Sequence, residues 1–274
     1  VKSIFAAAAC RWRRIIMPTY RDRGIVLKIR PVRDADRYYT IFTENHGKIS
    51  VLAKGSRRGR SKMSSHLAGF GVVDLMIARG RLIDRLAGAS LSRSFNGILD
   101  SLSQTSLAQS LLLAVDDLTR RELPEERVFR LLSSFLETLG KAGTLEPDAG
   151  EMIFAATAIK LLDILGFAPE LAACVRCRRS LSSDASFLNA GRGGLECAIC
   201  RSPHSLPVTV ETASALRMMR REELSVVRSL SVGARAARQI SLVIECLLSG
   251  HLEDRFAALN YLKLVGATAA AVKS

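Results

Sequence analysis

The chain has 274 residues, 48% of them hydrophobic and 24% charged, and 40 Lys and Arg against 26 Asp and Glu give a formal charge of +14. That composition excludes a disordered polyelectrolyte, and the apolar runs near 152–159 and 264–272 are far shorter than the about 18 residues a membrane helix needs. Residues 1–16 carry four basic and no acidic residues, 17–99 carry sixteen and six, and 100–274 carry twenty of each. The excess belongs to the first third, as expected of a polyanion-binding module joined to a neutral scaffold. A generally basic protein would spread its charge evenly.

Residues 1–19 read as an extension expected to lack order. Ile4–Ala9 is too short for the apolar core of an export signal, and Arg11, Arg13 and Arg14 follow it where they should precede it. Met17-Pro18 looks like a more natural beginning. From Tyr20 to about Ser90 the apolar period is two. In Ile25-Val-Leu-Lys28-Ile29 one face is Ile25, Leu27 and Ile29 and the other carries Lys28 and Arg30. Tyr38–Thr43, Ile49–Lys54, Val72–Ala78 and Leu82–Ala89 continue the pattern. Five short strands in about seventy residues predict an OB-fold β-barrel over 20–95, with its outside free to bind.

The loop after the third strand reads Lys54-Gly-Ser-Arg57-Arg58-Gly-Arg60-Ser-Lys62, five cations among Gly and Ser with no acid between them. Such a strip suits a phosphate backbone and does not easily read bases. With Lys28, Arg30, Arg37 and Lys48 these cations form the candidate nucleic-acid set. Tyr38, Tyr39 and Phe42 lie on one strand, so a single alternating set faces outward. Tyr38 or Phe42 is the candidate for stacking on bases.

From about Ser101 the period becomes helical. Leu107, Leu111, Val115 and Leu118 share one face; Val128, Leu131, Leu132, Phe135 and Leu139 form a second stripe that Pro124, Glu125 and Glu126 introduce. Met152–Leu165 is apolar nearly all round and reads as a central helix. Further helices are expected at Glu211–Glu222, Arg235–Leu248 and Asp254–Leu264 in a helical domain over 96–274.

A small module at about 172–206 interrupts that domain. Cys174-Val-Arg-Cys177 and Cys197-Ala-Ile-Cys200, nineteen residues apart, are paired knuckles that offer four thiolates to one tetrahedral ion. Four sulfurs leave no open position, so a single zinc ion here is structural. A redox dithiol would follow a strand of a βαβ unit, and no such pattern surrounds these pairs. Cys246, in an apolar run, reads as a small buried side chain, and His204 as a surface residue.

Catalytic patterns are missing. There is no phosphate-cradling Gly-x-x-x-x-Gly-Lys-Ser/Thr, no His-Glu-x-x-His and no nucleophile elbow, and Asp116-Asp117, Glu125-Glu126 and Glu222-Glu223 fall on adjacent positions that diverge around a helix. The chain is not expected to be an enzyme.

The ordered set Gly24-Ile-Val-Leu-Lys28, Asp36-Arg37-Tyr-Tyr-Thr-Ile-Phe-Thr43, Gly47-Lys48-Ile and Ala53-Lys54-Gly55 resembles the RecO family of bacterial recombination mediators. Leu165-Gly-Phe-Ala-Pro169-Glu-Leu171 before the first cysteine pair, and Leu259-Asn-Tyr-Leu262-Lys263, are similar to that family's zinc-module entry and last helix. The match is collinear from about Tyr20 to Leu264. Arg178 departs from it, standing where a glycine commonly follows the first cysteine pair. The resemblance implies an α+β chain with an N-terminal OB-fold β-barrel, an α-helical domain and an inserted four-cysteine zinc module. Such a protein takes part in DNA repair and recombination. It binds single- and double-stranded DNA, anneals complementary strands and, with RecR, helps load RecA onto strands coated with single-stranded DNA-binding protein. A reduced metal site without an export signal argues for the cytoplasm, in association with the nucleoid. The rival readings are an RNA-binding or ribosome-associated OB-fold protein, since basic barrels do not declare their polyanion, and a protein adaptor whose charge is incidental.

Overall fold

In the computed structural model, which describes residues 18–32, 36–56, 62–141, 147–181 and 185–250, the alternating pattern of the first third does form five strands. They are β1 (Thr19–Val32), β2 (Asp36–Thr43), β3 (Gly47–Ala53), β4 (Gly71–Ala78) and β5 (Asp84–Ser94), closed in the order β1-β2-β3-β5-β4. β1 is long enough to pair with β4 through its first half and with β2 through its second, and a register shift between Val26 and Lys28 bends it around the barrel. The closing pair, β3 with β5, is parallel. Tyr39, Ile41, Ile49, Val51, Val73, Leu75 and Ile77 fill the interior. A short helix, α1 (Lys62–His66), precedes β4 where the sequence suggested loop. Arg57, Arg58 and Arg60 of the basic strip lie outside the described residues, as do Cys10 and the helix expected at 254–264.

The helical body consists of α2 (Leu102–Leu118), α3 (Glu126–Gly140), α4 (Pro147–Ile164), α5 (Val210–Arg221), α6 (Leu224–Val227) and α7 (Ala234–Ser249). Ser101 caps α2, its hydroxyl accepting from the Gln104 N–H. Glu125 caps α3, which puts Pro124 one residue before the cap and outside the first turn where the sequence placed it. α4 is the centre, as its all-round apolar surface requires: Met152 through Ile159 are all buried, and α2, α3, α5 and α7 pack around it.

The barrel is not a free appendage. Ile25, Leu27, Phe42 and Val72 lie on its outer surface and join one continuous core with Leu107, Leu111, Phe135 and α4. The expectation of a barrel with its outside open is therefore corrected: α2 and α3 cover one end of that surface. The junction is close. The Glu122 N–H donates to the Lys48 carbonyl at 3.0 Å, and the turn between β2 and β3 rests on the loop between α2 and α3.

The inserted module has three strands, β6 (Ser186–Asn189), β7 (Gly194–Cys197) and β8 (Leu206–Val208), with β6 in the middle. Leu171, Leu181, Leu188, Leu195 and Val208 carry the main core into it. Arg217 of α5 clasps its entry, donating to the carbonyls of Leu171 and Leu181 at 2.9 and 3.2 Å.

Candidate nucleic-acid face and metal centre

Register fixes which barrel residues share a face. Arg30 lies opposite Tyr38, Tyr38 opposite Leu52, and Leu52 opposite Arg85, so these four form one outward row across β1, β2, β3 and β5. Arg30 and Arg85 are exposed, with Tyr38 and Leu52 half-buried between them. Two guanidinium groups flanking an aromatic ring can hold phosphates while a base stacks between them. Lys54 is exposed just past the end of β3, where the Gly55 N–H donates to Asp36 at 2.8 Å. Arg37 is half-buried at the start of β2, opposite Pro31 and the buried Ala53.

Further along the same face the surface becomes progressively covered. Thr40 lies opposite Lys28 on β1, whose ammonium approaches Asp116 of α2 at 3.9 Å. Phe42 and Lys48 come last, and both are lost from the candidate set. Phe42 is 0% exposed in the core shared with the helices, so no base can reach its ring. Lys48 is 8% exposed; its ammonium donates to the Asp116 carbonyl and lies 3.4 Å from the Asp116 carboxylate. Its charge serves to join barrel to body. Lys62 opens α1, whereas Arg57, Arg58 and Arg60 are outside the described residues. Tyr39 faces the barrel interior. Arg85 is the residue sequence reasoning missed. Nothing local marks it, and its place in the row follows from the parallel β3–β5 pairing alone.

The four cysteines do converge. The sulfurs of Cys174, Cys177, Cys197 and Cys200 all lie within 4.8 Å of one another, and those of Cys177 and Cys197 are 3.8 Å apart. A tetrahedral ion with metal–sulfur bonds of about 2.3 Å sets its sulfurs about 3.8 Å apart, so the cluster has the size of one coordination sphere. The backbone prepares it. Burial opposes ionisation of Cys174, but amide N–H groups of Cys177, Cys197 and Arg176 outweigh it and bring that thiol down to about 6. The Cys200 amide likewise lowers Cys197. Cys200 moves the opposite way, pushed up to about 12 by the neighbouring thiols of Cys177 and Cys197. Four thiols this close do not all ionise unaided, and a soft divalent cation at their centre removes the conflict. The donor set thus fits a metal ion with no position left for substrate.

Two features brace this cluster. Glu196, beside Cys197, is wholly buried and accepts from the hydroxyls of Ser205 at 2.6 Å and Ser202 at 2.9 Å, the Ser202 N–H at 2.9 Å and the Asn189 amide at 3.1 Å. Burial raises its pKa, and these donors reverse the effect and hold it at about 2. Arg178 stands at φ 60°, in the left-handed region, with its N–H on the Cys174 carbonyl at 2.9 Å. The turn keeps its shape although an arginine occupies the position that glycine suits. His204 is exposed, and Cys246 is half-buried on α7, away from the cluster. Among the described residues no helix is long and apolar enough to cross a membrane.

Comparison with known proteins agrees with this architecture piece by piece. Residues 17–95 match the family model described as Recombination protein O N terminal, and residues 99–260 the model described as Recombination protein O C terminal. A DNA repair protein RecO of Rubrobacter xylanophilus is 36% identical over 73% of this chain and 80% of its own length. One from Cutibacterium acnes is 31% identical over 86% and 96%, and one from Syntrophus aciditrophicus 30% over 85% and 91%. The chain, a closed OB-like barrel on a helical body with a four-cysteine cluster, belongs to the RecO family of DNA repair proteins, which are non-enzymatic recombination mediators.

Proposed function

We propose that this chain binds single- and double-stranded DNA, anneals complementary strands and, with RecR, helps load RecA onto strands coated with single-stranded DNA-binding protein, in the bacterial cytoplasm at the nucleoid. The observation that carries the reading is the row Arg30, Tyr38, Leu52 and Arg85 on the open part of the barrel, with Lys54 beside it. Guanidinium groups there neutralise phosphates and release condensed counterions, which lowers the repulsion between two strands without nucleotide hydrolysis. Tyr38 offers a ring on which any base can stack, so the face is indifferent to sequence, as annealing of arbitrary complements requires. Arg37, Arg57, Arg58, Arg60 and Lys62 belong to the same proposed set, and Lys28 lies at its covered edge. The four cysteines hold one zinc ion, which closes a tetrahedral sphere and has a structural role.

The test is annealing of complementary strands coated with single-stranded DNA-binding protein, without nucleotide and at several salt concentrations. Acceleration that fades as salt rises is the expected result, with Arg30→Ala/Arg85→Ala slowing it by about tenfold. No acceleration by folded, zinc-loaded protein would overturn the reading in favour of RNA binding, which competition between matched RNA and DNA strands measures directly.

A further inference from the structure

The charge balance of residues 100–274 conceals a local asymmetry. Between Cys174 and Leu206, the described residues include Arg176, Arg178, Arg179, Arg192 and Arg201, all exposed. The one described acid in that stretch, Glu196, is wholly buried, engaged by Ser202, Ser205 and Asn189, and paired at 3.8 Å with Arg192, which leaves the other four arginines. Asp184 of the same stretch is outside the described residues; the five arginines still outnumber the two acids of the stretch, so the module is a basic knob on the helical body.

Its arginines are gathered and held. Arg176, Arg178, Arg179 and Arg201 each lie within two positions of a cysteine, and the four sulfurs sit within 4.8 Å of one another. Arg176 bridges the two knuckles by donating to the Cys200 carbonyl at 3.2 Å, which engages one nitrogen of its fork. Arg201 lies 4.5 Å over the Phe187 ring. Among the described residues none of these four forms an ion pair. Glu170, which feels the charge of Arg178, is committed to the N–H groups of Ala172 and Ala173 at 2.8 and 3.2 Å. Ile199, at the tip of the second knuckle, is 78% exposed. Unpaired planar guanidinium forks around an exposed apolar tip offer donors matched to phosphate oxygens and a surface on which a base can rest.

We propose that the cysteine module is a second nucleic-acid-binding site, which takes the phosphate backbone of one single strand through Arg176, Arg178, Arg179 and Arg201 while the barrel row holds another. The inference rests on the proposed DNA binding and extends it. A protein that anneals must hold two strands at once, and two basic surfaces on one chain turn their encounter into a local event at high effective concentration. The structural role of the metal is then to present these side chains.

The experiment uses the full-length, zinc-loaded chain and two oligo-dT strands, one carrying a donor dye and one an acceptor, which cannot pair with each other. Energy transfer between them reports two strands on one particle. The wild type is expected to give transfer when strands are in excess. Arg176→Ala/Arg179→Ala/Arg201→Ala is expected to abolish it, to keep first-strand affinity within about threefold and to slow annealing of true complements by about tenfold. The triple Lys variant, which keeps the charge, retains transfer. Zinc content and the melting curve verify folding, and if the triple Ala variant does not fold, Arg179→Ala/Arg201→Ala carries the test. Unchanged transfer and annealing in the Ala variant overturns the inference, also where that variant instead loses affinity for polyglutamate, the signature of an acidic protein partner. A wild type that binds one strand through the barrel without transfer sinks the second site alone; a wild type that binds no DNA sinks the proposed function with it.

Discussion

Glu196 and Arg178 show how single residues set the module's character. Glu196 is a buried carboxylate whose oxygens are filled by donors from Ser202, Ser205 and Asn189. Glu196→Gln turns an amide N–H₂ toward groups that are themselves donors. Its expected cost is about 2–3 kcal/mol, read as a lowered midpoint in urea unfolding. Arg178 is the reverse case, a residue that stability does not favour: at φ 60° an L side chain is strained, and glycine would sit there freely. Arg178→Gly is expected to raise stability by up to about 1 kcal/mol in thermal melting. Under the two-site proposal it also weakens second-strand capture, so stability and binding move in opposite directions.

At the scale of elements, the joint between barrel and body decides which face stays open. The turn between β2 and β3 lies so close to the α2–α3 loop that a Cβ at Gly47 would stand 2.1 Å from the Leu123 carbonyl oxygen, and Gly47 itself has φ +66°. Gly47→Ala therefore meets both a backbone clash and an unfavourable conformation. The expected loss is about 2–4 kcal/mol, measured by chemical denaturation, with slower annealing as the barrel shifts on its seat. Asp116 ties the same joint from the α2 side by holding Lys28 and Lys48. Those two lysines read as DNA contacts in the sequence because a strand alternation shows which residues point outward. It does not show what covers them.

For the whole molecule, the important feature is that one apolar core runs through all three parts. Phe42 and Val72 of the barrel, the face of α4, and Cys174, Leu188, Leu195 and Cys197 of the module belong to it together. Metal removal should therefore be felt globally. Chelation is expected to lower the melting temperature of the entire chain by several degrees in a single transition, and added zinc to restore it. Two separate transitions, with barrel melting unchanged, would show that the module is only loosely coupled to the core.

The amino-acid sequence by itself determined the five strands, the central helix and the cysteine cluster. Each rests on information that is local: period-two alternation in Ile25–Ile29, the apolar surface of Met152–Ile159, and a Cys-x-x-Cys repeat whose ligand chemistry is intrinsic to the residue type. Tertiary structure decided what is exposed. Arg85 joins Arg30 through register across strands that lie more than fifty residues apart, and Phe42 and Lys48 leave the open outer face because the helical body covers it there. The arginine knob is not legible in the sequence for a related reason. Net charge sums over the chain, whereas a phosphate responds to the few charges within about 10 Å, and only folding separates those from the acids that cancel them on paper.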